Sequence, residues 1–156
     1  MQMPAAGAPN LIPAGSLRND FIWQPLVRGA FHNLQLWARR GIRPPRAPGI
    51  ELDAKLEIRR DQYGNALGGL RMPYIDTPVA AHSGYLAPGG MGGITGAKRP
   101  FAPETLEALY PDHASYVAKF SAATDRLLAE RWISADDAAA IKAAAAASPP
   151  APPKPQ

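Results

Sequence analysis

The stretch "DQYGNALGGLRMPYIDTPVAAHSG", residues 61–84, decides how the rest of the chain is read. Its opening "DQYGN" supplies turn residues, and Gly64 and Asn65 tolerate positive φ. Before it, "LDAKLEIRR" (52–60) alternates, with Leu52, Leu56 and Ile58 on a face opposite Lys55, Glu57 and Arg59. The two arms predict a β-hairpin whose return arm is weakened by Gly68 and Gly69. "TPVAAHSG" (77–84) is a third extended segment, and Pro78 marks it as an edge or a strand start. It holds His82 and Ser83, the one place where a base and a hydroxyl are neighbours. Adjacent residues of an extended segment point to opposite faces, so the pair is poorly placed to act as base and nucleophile. The stretch is scaffold.

Working outward, "QPLVRGAFHNLQLWARRG" (24–41) puts Leu26, Val27, Ala30, Phe31, Leu34, Trp37 and Ala38 on one stripe. Their spacing fits a 3.6-residue period and predicts an amphipathic helix with an apolar face. Pro25 suits its first turn, Arg39 and Arg40 its negative end, and Gly41 its stop. Downstream, "APETLEALYP" (102–111) is a short helix between Pro103 and Pro111. The stripe Tyr116, Val117, Phe120, Thr124, Leu127 and Leu128 predicts a longer one, and "SADDAAAIKAAAAAS" (134–148) opens with Ser134 and Asp137 in a capping-box arrangement. Between them, "YLAPGGMGGITGAKRPF" (85–101) is a glycine-rich loop. Residues 1–20, rich in Pro, Gly, Ala and Asn, form a loose segment; residues 21–147 form the folded region; the Pro-rich 148–156 is a polyproline-type tail. Helices with a small β-hairpin region make this an α+β chain.

Composition narrows the function classes. The 156 residues suffice for one domain, and 17 Lys+Arg against 13 Asp+Glu leave a formal charge of only +4. Arg39, Arg40, Arg43 and Arg46 cluster in "ARRGIRPPR", which reads as a solvated helix end; nucleic-acid contact there is the lesser reading. Cysteine is absent, which excludes disulfides, thiolate metal sites and a Cys nucleophile. The start has neither a basic n-region nor a long apolar run, and no stretch reaches the roughly 18 apolar residues of a membrane span. The expectation is a soluble protein, cytoplasmic by default, without a membrane partner.

The candidate sites fall away one by one. In the glycine loop, Gly96 is followed by Ala97, Lys98 and Arg99, without the Gly-Lys-Ser/Thr that a P-loop needs to bind phosphate and Mg²⁺. His32 and His113 have no partner at metal-ligand spacing and read as structural. No serine has glycine two positions before and two after it, so the G-x-S-x-G nucleophile elbow is missing. Asp136 and Asp137 stabilise a helix start, and Glu104 and Glu107 an exposed face. The sequence therefore assigns no catalytic, cofactor-binding or metal-binding residue, and it calls for no cofactor.

The order of segments carries more. "RDQYGNALGGLRMPYIDTPVAAHSG" (60–84), "RPFAPETLEALYPDHASYVAKFSAATDRLLAERWISADDAAAI" (99–141) and "LVRGAFHNLQLWARRGIRPPRAP" (26–48) together resemble the C-terminal part of a family of uncharacterised α/β-hydrolase-domain proteins. The resemblance lies in D-x-x-G-N-x-x-G-G-hydrophobic-R-x-P, then P-V-A, a glycine-rich loop ending in P-F, and Y-P-x-H-x-x-Y-V. It spans about Arg18 to Ala147. Gly64, Gly68, Gly69, Pro73 and Pro78 fall at matched positions that set backbone geometry. Members of the family are considerably longer than this chain. The resemblance implies an esterase-like Ser-His-acid hydrolase whose elbow lies upstream of the matched region, so no catalytic residue carries over. On that reading the partner is the missing N-terminal half; the alternative is a non-catalytic module that binds another protein chain, the amphipathic Leu26–Trp37 helix presenting an apolar face that needs a cover.

Overall fold

The computed structural model describes residues 17–84 and 96–148. Along them run β1 (Leu17–Arg18), α1 (Gln24–Arg40), α2 (Pro73–Asp76), β2 (Ala80–Ser83), β3 (Ala97–Pro100), α3 (Pro103–Leu109), α4 (His113–Ala129) and α5 (Ala135–Ala147). The strands form one antiparallel sheet in the order β1-β3-β2, giving an α+β architecture. β2 lies on an edge, as Pro78 before it implies.

The core grows from the helical hairpin of α4 and α5. Tyr116, Phe120, Thr124 and Leu127 are the buried positions of α4, the stripe expected from the sequence. They meet Ile133, Ala138, Ile141 and Ala145 from the turn and α5, and Met72, Leu106 and Tyr110 close the cluster. Asp112 caps α4 by accepting from Ser115 N at 2.6 Å. Ser134 Oγ caps α5, accepting from Asp137 N at 3.1 Å and donating to Asp137 Oδ2 at 2.8 Å. Because α5 is mostly alanine, it packs closely against α4 and has no strong apolar face of its own.

The scaffold stretch works through polar side chains. Asp61 Oδ1 accepts from Tyr63 N at 3.0 Å and Asn65 N at 2.9 Å, closing the expected turn. Fully buried Asn65 then grips β2, donating to Ala80 O at 3.2 Å and accepting from His82 N at 2.8 Å. Arg71 ties the turn to the core. It reaches Asp61 at 3.1 Å, Asp76 at 2.6 Å, Ile75 O at 3.1 Å and, in close contact, Ala66 O. Arg126 of α4 pairs with the same Asp76, so α2 is fastened to α4.

Three expectations are corrected. The hairpin is a set of single bridges, Ile50 to Gly68, Leu52 to Ile58 and Arg60 to Ala66, without a regular strand. The cause is a second turn: Asp53 Oδ1 accepts from Lys55 N at 2.8 Å and Glu57 N at 2.9 Å, and Leu56 sits at φ 64°. The arms instead close a cycle in which Glu51 N donates to Leu67 O, Arg59 N to Glu51 O and Leu67 N to Arg59 O, each at 2.9 Å. Leu52, Leu56 and Ile58 are exposed. Next, Ala97–Pro100, read as loop, is the central strand β3, and Leu17–Arg18, from the segment expected to be loose, pairs with it. Residues 1–16, 85–95 and 149–156 lie outside the described residues, and with them most of the loose segment, the glycine loop and the proline tail.

The third correction concerns α1. The helix forms where expected, but it docks through its other side: Pro25, Gly29 and Asn33 are buried, while Val27, Phe31, Leu34 and Trp37 are exposed. The α4–α5 turn explains this. Arg131 is left-handed at φ 64°, with Trp132 N bonded to Leu127 O at 2.8 Å, a Schellman-type close that turns the Arg131 and Trp132 carbonyls toward α1. Asn33 Nδ2 donates to Arg131 O at 2.7 Å, and Arg28 Nε donates to both oxygens of Asp137 at 3.1 and 3.2 Å. Gly29 lets the backbones meet, since a Cβ there would lie 2.0 Å from Trp132 O.

The outward stripe gives an uneven mutational pattern. Gly29→Ala is expected to cost about 1–3 kcal/mol, because backbone rather than a flexible side chain must move. Phe31→Ser is expected to stay within about 0.5 kcal/mol, the range of surface changes. Urea denaturation of both variants checks the contrast, and the reverse order would place the apolar stripe inside. For Arg71→Met the expected loss is roughly 2–3 kcal/mol, below that of a fully buried pair because the Arg71 side chain keeps 22% of its exposure. Arg71→Lys should recover little of it, since an ammonium cannot span two carboxylates and two carbonyls in the same plane. The same denaturation series reads both.

Candidate functional site

Between the sheet and the α4–α5 hairpin lies a cavity of about 420 Å³. Its wall is a run of rings in edge-to-face contact: His82 with Phe21 at 6.2 Å, Phe21 with Tyr74 at 6.1 Å and Tyr74 with Phe120 at 5.3 Å. Tyr116 continues the run, 5.5 Å from Phe120. The rings come from β2, the segment before α1, α2 and α4, so the cavity exists only once the chain has folded. Antiparallel pairing sets His82 of β2 opposite Lys98 of β3, and Lys98 pairs closely with Asp20.

The imidazole is held in one orientation. Asn19 Oδ1 accepts from Phe21 N at 3.3 Å, which identifies that atom as the amide oxygen. The same oxygen faces His82 Nδ1 at 3.3 Å, so Nδ1 carries the proton and Nε2 the free lone pair. Gly96 makes this approach possible: at φ 61°, a Cβ would meet Ser83 O at 2.5 Å and Asn19 Nδ2 at 3.2 Å. Burial pushes the His82 pKa below its ordinary 6.5; Asp20 partly opposes this and the Lys98 ammonium adds to it. A neutral, oriented imidazole results.

The phenols shift the other way. Burial, then the neighbouring Tyr74, pushes Tyr116 up to about 12. Burial and Asp20 raise Tyr74. Both therefore stay protonated and able to donate.

Elsewhere, the sequence candidates occupy structural places. His113 Nε2 donates to Ala145 O at 3.1 Å, joining the start of α4 to the end of α5. His32 and Arg39, Arg40, Arg43 and Arg46 are exposed, and Arg43 O accepts from Arg131 at 2.9 Å. The acidic pair at the start of α5 divides its work. Asp136 is exposed, whereas the hydrogen bond from Arg28, helped by Ser134 and opposed by desolvation, holds Asp137 below the usual carboxylate range. His82 lines the cavity, while Ser83 follows it in β2 opposite Ala97. Among the described residues no group of three or more His, Asp or Glu is disposed to hold a metal ion, and no helix is long and apolar enough to cross a membrane. Sequence reasoning missed Phe21, Tyr74 and Lys98 as cavity residues and Asn19 as the residue that orients His82. No spacing signal marks them, because the contact from Asn19 to His82 crosses 63 positions.

A family model described as "Alpha/beta hydrolase domain" matches residues 2–143, and the chain belongs to that family. No curated protein matches the chain, and no solved structure does.

The oriented imidazole has a measurable signature. With its folded pKa below the ordinary 6.5, the His82 ring contributes stability that is fully present above that value. That stability is lost as pH falls from 6.5 through the folded pKa, because the unfolded chain then binds the extra proton. NMR titration of the ring is expected to show a midpoint below 6.5, and His82→Phe should flatten the stability profile over this window. A midpoint above 6.5 would contradict the buried, neutral state.

Proposed function

We propose that this chain forms the C-terminal portion of an α/β-hydrolase domain, esterase-like when complete. In this reading it supplies framework and part of the substrate-pocket wall, and the attacking serine comes from polypeptide outside these residues. Ester hydrolysis in such a domain proceeds through an acyl-enzyme: a serine attacks, an imidazole takes its proton, and backbone N–H groups stabilise the oxyanion. The observation that carries the reading is the outward apolar face of α1, from Trp23 through Val27, Phe31 and Leu34 to Trp37, in a chain that belongs to this family. A second exposed set, Ile50, Leu52, Leu56 and Ile58, adds to it. Contiguous apolar surface of this kind marks a face that another part of a protein covers. The absence of G-x-S-x-G from the 156 residues agrees with a nucleophile supplied from elsewhere.

The same α1 face favours a second reading, a non-catalytic module that binds another chain. Both readings give one expectation for the purified chain: no saturable turnover of an activated short-chain ester and no covalent labelling by a fluorophosphonate probe. Turnover with a labelled serine would overturn both, since it requires a nucleophile within the chain. Light scattering separates them. Aggregation relieved only by co-expression with a hydrolase segment bearing a glycine-flanked serine supports the partial domain, and a monomer with a cooperative melt supports the module.

A further inference from the structure

The cavity beside His82 has a chemistry more specific than a pocket wall. With Nδ1 turned to Asn19 Oδ1, Nε2 is left as an acceptor, and it has no hydrogen-bond partner among the described residues. His82 lines the cavity. A ligand that satisfies Nε2 must bring an O–H or N–H donor.

Charge narrows the class further. The two ionic groups lining the cavity, Asp20 and Lys98, are already paired with each other. An anion would set its charge against the Nε2 lone pair, and a cation would have to compete with Lys98 for Asp20. A neutral ligand avoids both costs. The walls narrow it again: Phe21, Tyr74 and Phe120 pack edge-to-face on one another at centroid spacings of 5.3–6.1 Å and together give the cavity an aromatic wall against which a flat ring can lie. A volume of about 420 Å³ is at the small end of ligand cavities and suits one or two fused rings.

We propose that this cavity is a binding site for a neutral phenol, its ring against the wall formed by Phe21, Tyr74 and Phe120 and its hydroxyl donating to Nε2 of His82. The protonated hydroxyls of Tyr74 and Tyr116, which also line the cavity, serve as donors to the ligand's oxygen or to a second polar substituent. Asn19 is a positioning residue: it touches no ligand and acts by fixing the imidazole tautomer. The assignment does not depend on whether the chain is part of a hydrolase, because it concerns binding alone.

Calorimetric titration of the full chain with 4-methylphenol at about pH 7.5, where the phenol keeps its proton and the His82 imidazole is neutral, tests the proposal. The control is 4-methylanisole, the same ring with the O–H methylated. One-site saturable binding of the phenol is expected, with the anisole at least tenfold weaker. His82→Phe should weaken the phenol about tenfold and leave the anisole unchanged, and Asn19→Leu should act in the same direction with a smaller effect. Circular dichroism melting of each variant reports whether it folds. The phenol–anisole comparison on the unmodified chain needs no variant, so a misfolded variant leaves the test intact. Equal affinities for the two compounds, or no saturable binding of the phenol, would overturn the assignment, and neither result bears on the hydrolase reading, which is decided by ester turnover and fluorophosphonate labelling.

Discussion

The fold hangs on the guanidinium of Arg71. Burial works against its charge, yet the carboxylates of Asp76 and Asp61 outweigh that penalty and raise its pKa. A planar fork with five N–H donors can serve two carboxylates and two carbonyls together, which a lysine cannot. Through Asp61 it fixes the 61–65 turn, and that turn presents Asn65 to β2. Through Asp76 and Arg126 it fixes α2 against α4. The loop-rich region and the helical core are thus joined by charge-assisted hydrogen bonds where a larger domain would use apolar packing.

From that joint the cavity follows. Asn65 sets the position of β2, β2 pairs with β3, and the pairing brings His82 and Lys98 together beside rings from α2 and α4. Asn19, at the end of the short β1 segment, then fixes the imidazole. The site is a product of long-range contacts laid on a local turn.

Legibility in the sequence divides along that line. The α4 stripe, the Ser134 cap, the Pro103 start and the Asp61–Asn65 turn were readable, since each is decided within a few residues by period or turn chemistry. The docking sense of α1 was not. Periodicity shows that Val27, Phe31, Leu34 and Trp37 share a face, but it carries no information on which side meets the rest of the chain; Gly29 and Asn33 decide that through the Arg131–Trp132 turn. β3 was hidden because "AKRP" lacks both alternation and β-branched residues, and it is a strand by virtue of having partners on both sides. Family membership was legible through the order of segments, while the aromatic cavity was not, its residues being scattered from Phe21 to Phe120.

The way α1 is held has a thermal consequence. Its attachment consists of the Arg28–Asp137 pair, the Asn33 amide and a glycine contact, with buried Pro25 and half-buried Leu26 as its apolar contribution. Lifting it from the α4–α5 turn uncovers little hydrocarbon, so that opening carries a small heat-capacity change. Apolar docking loosens on cooling; this helix keeps its hold in the cold and gives way first to salt.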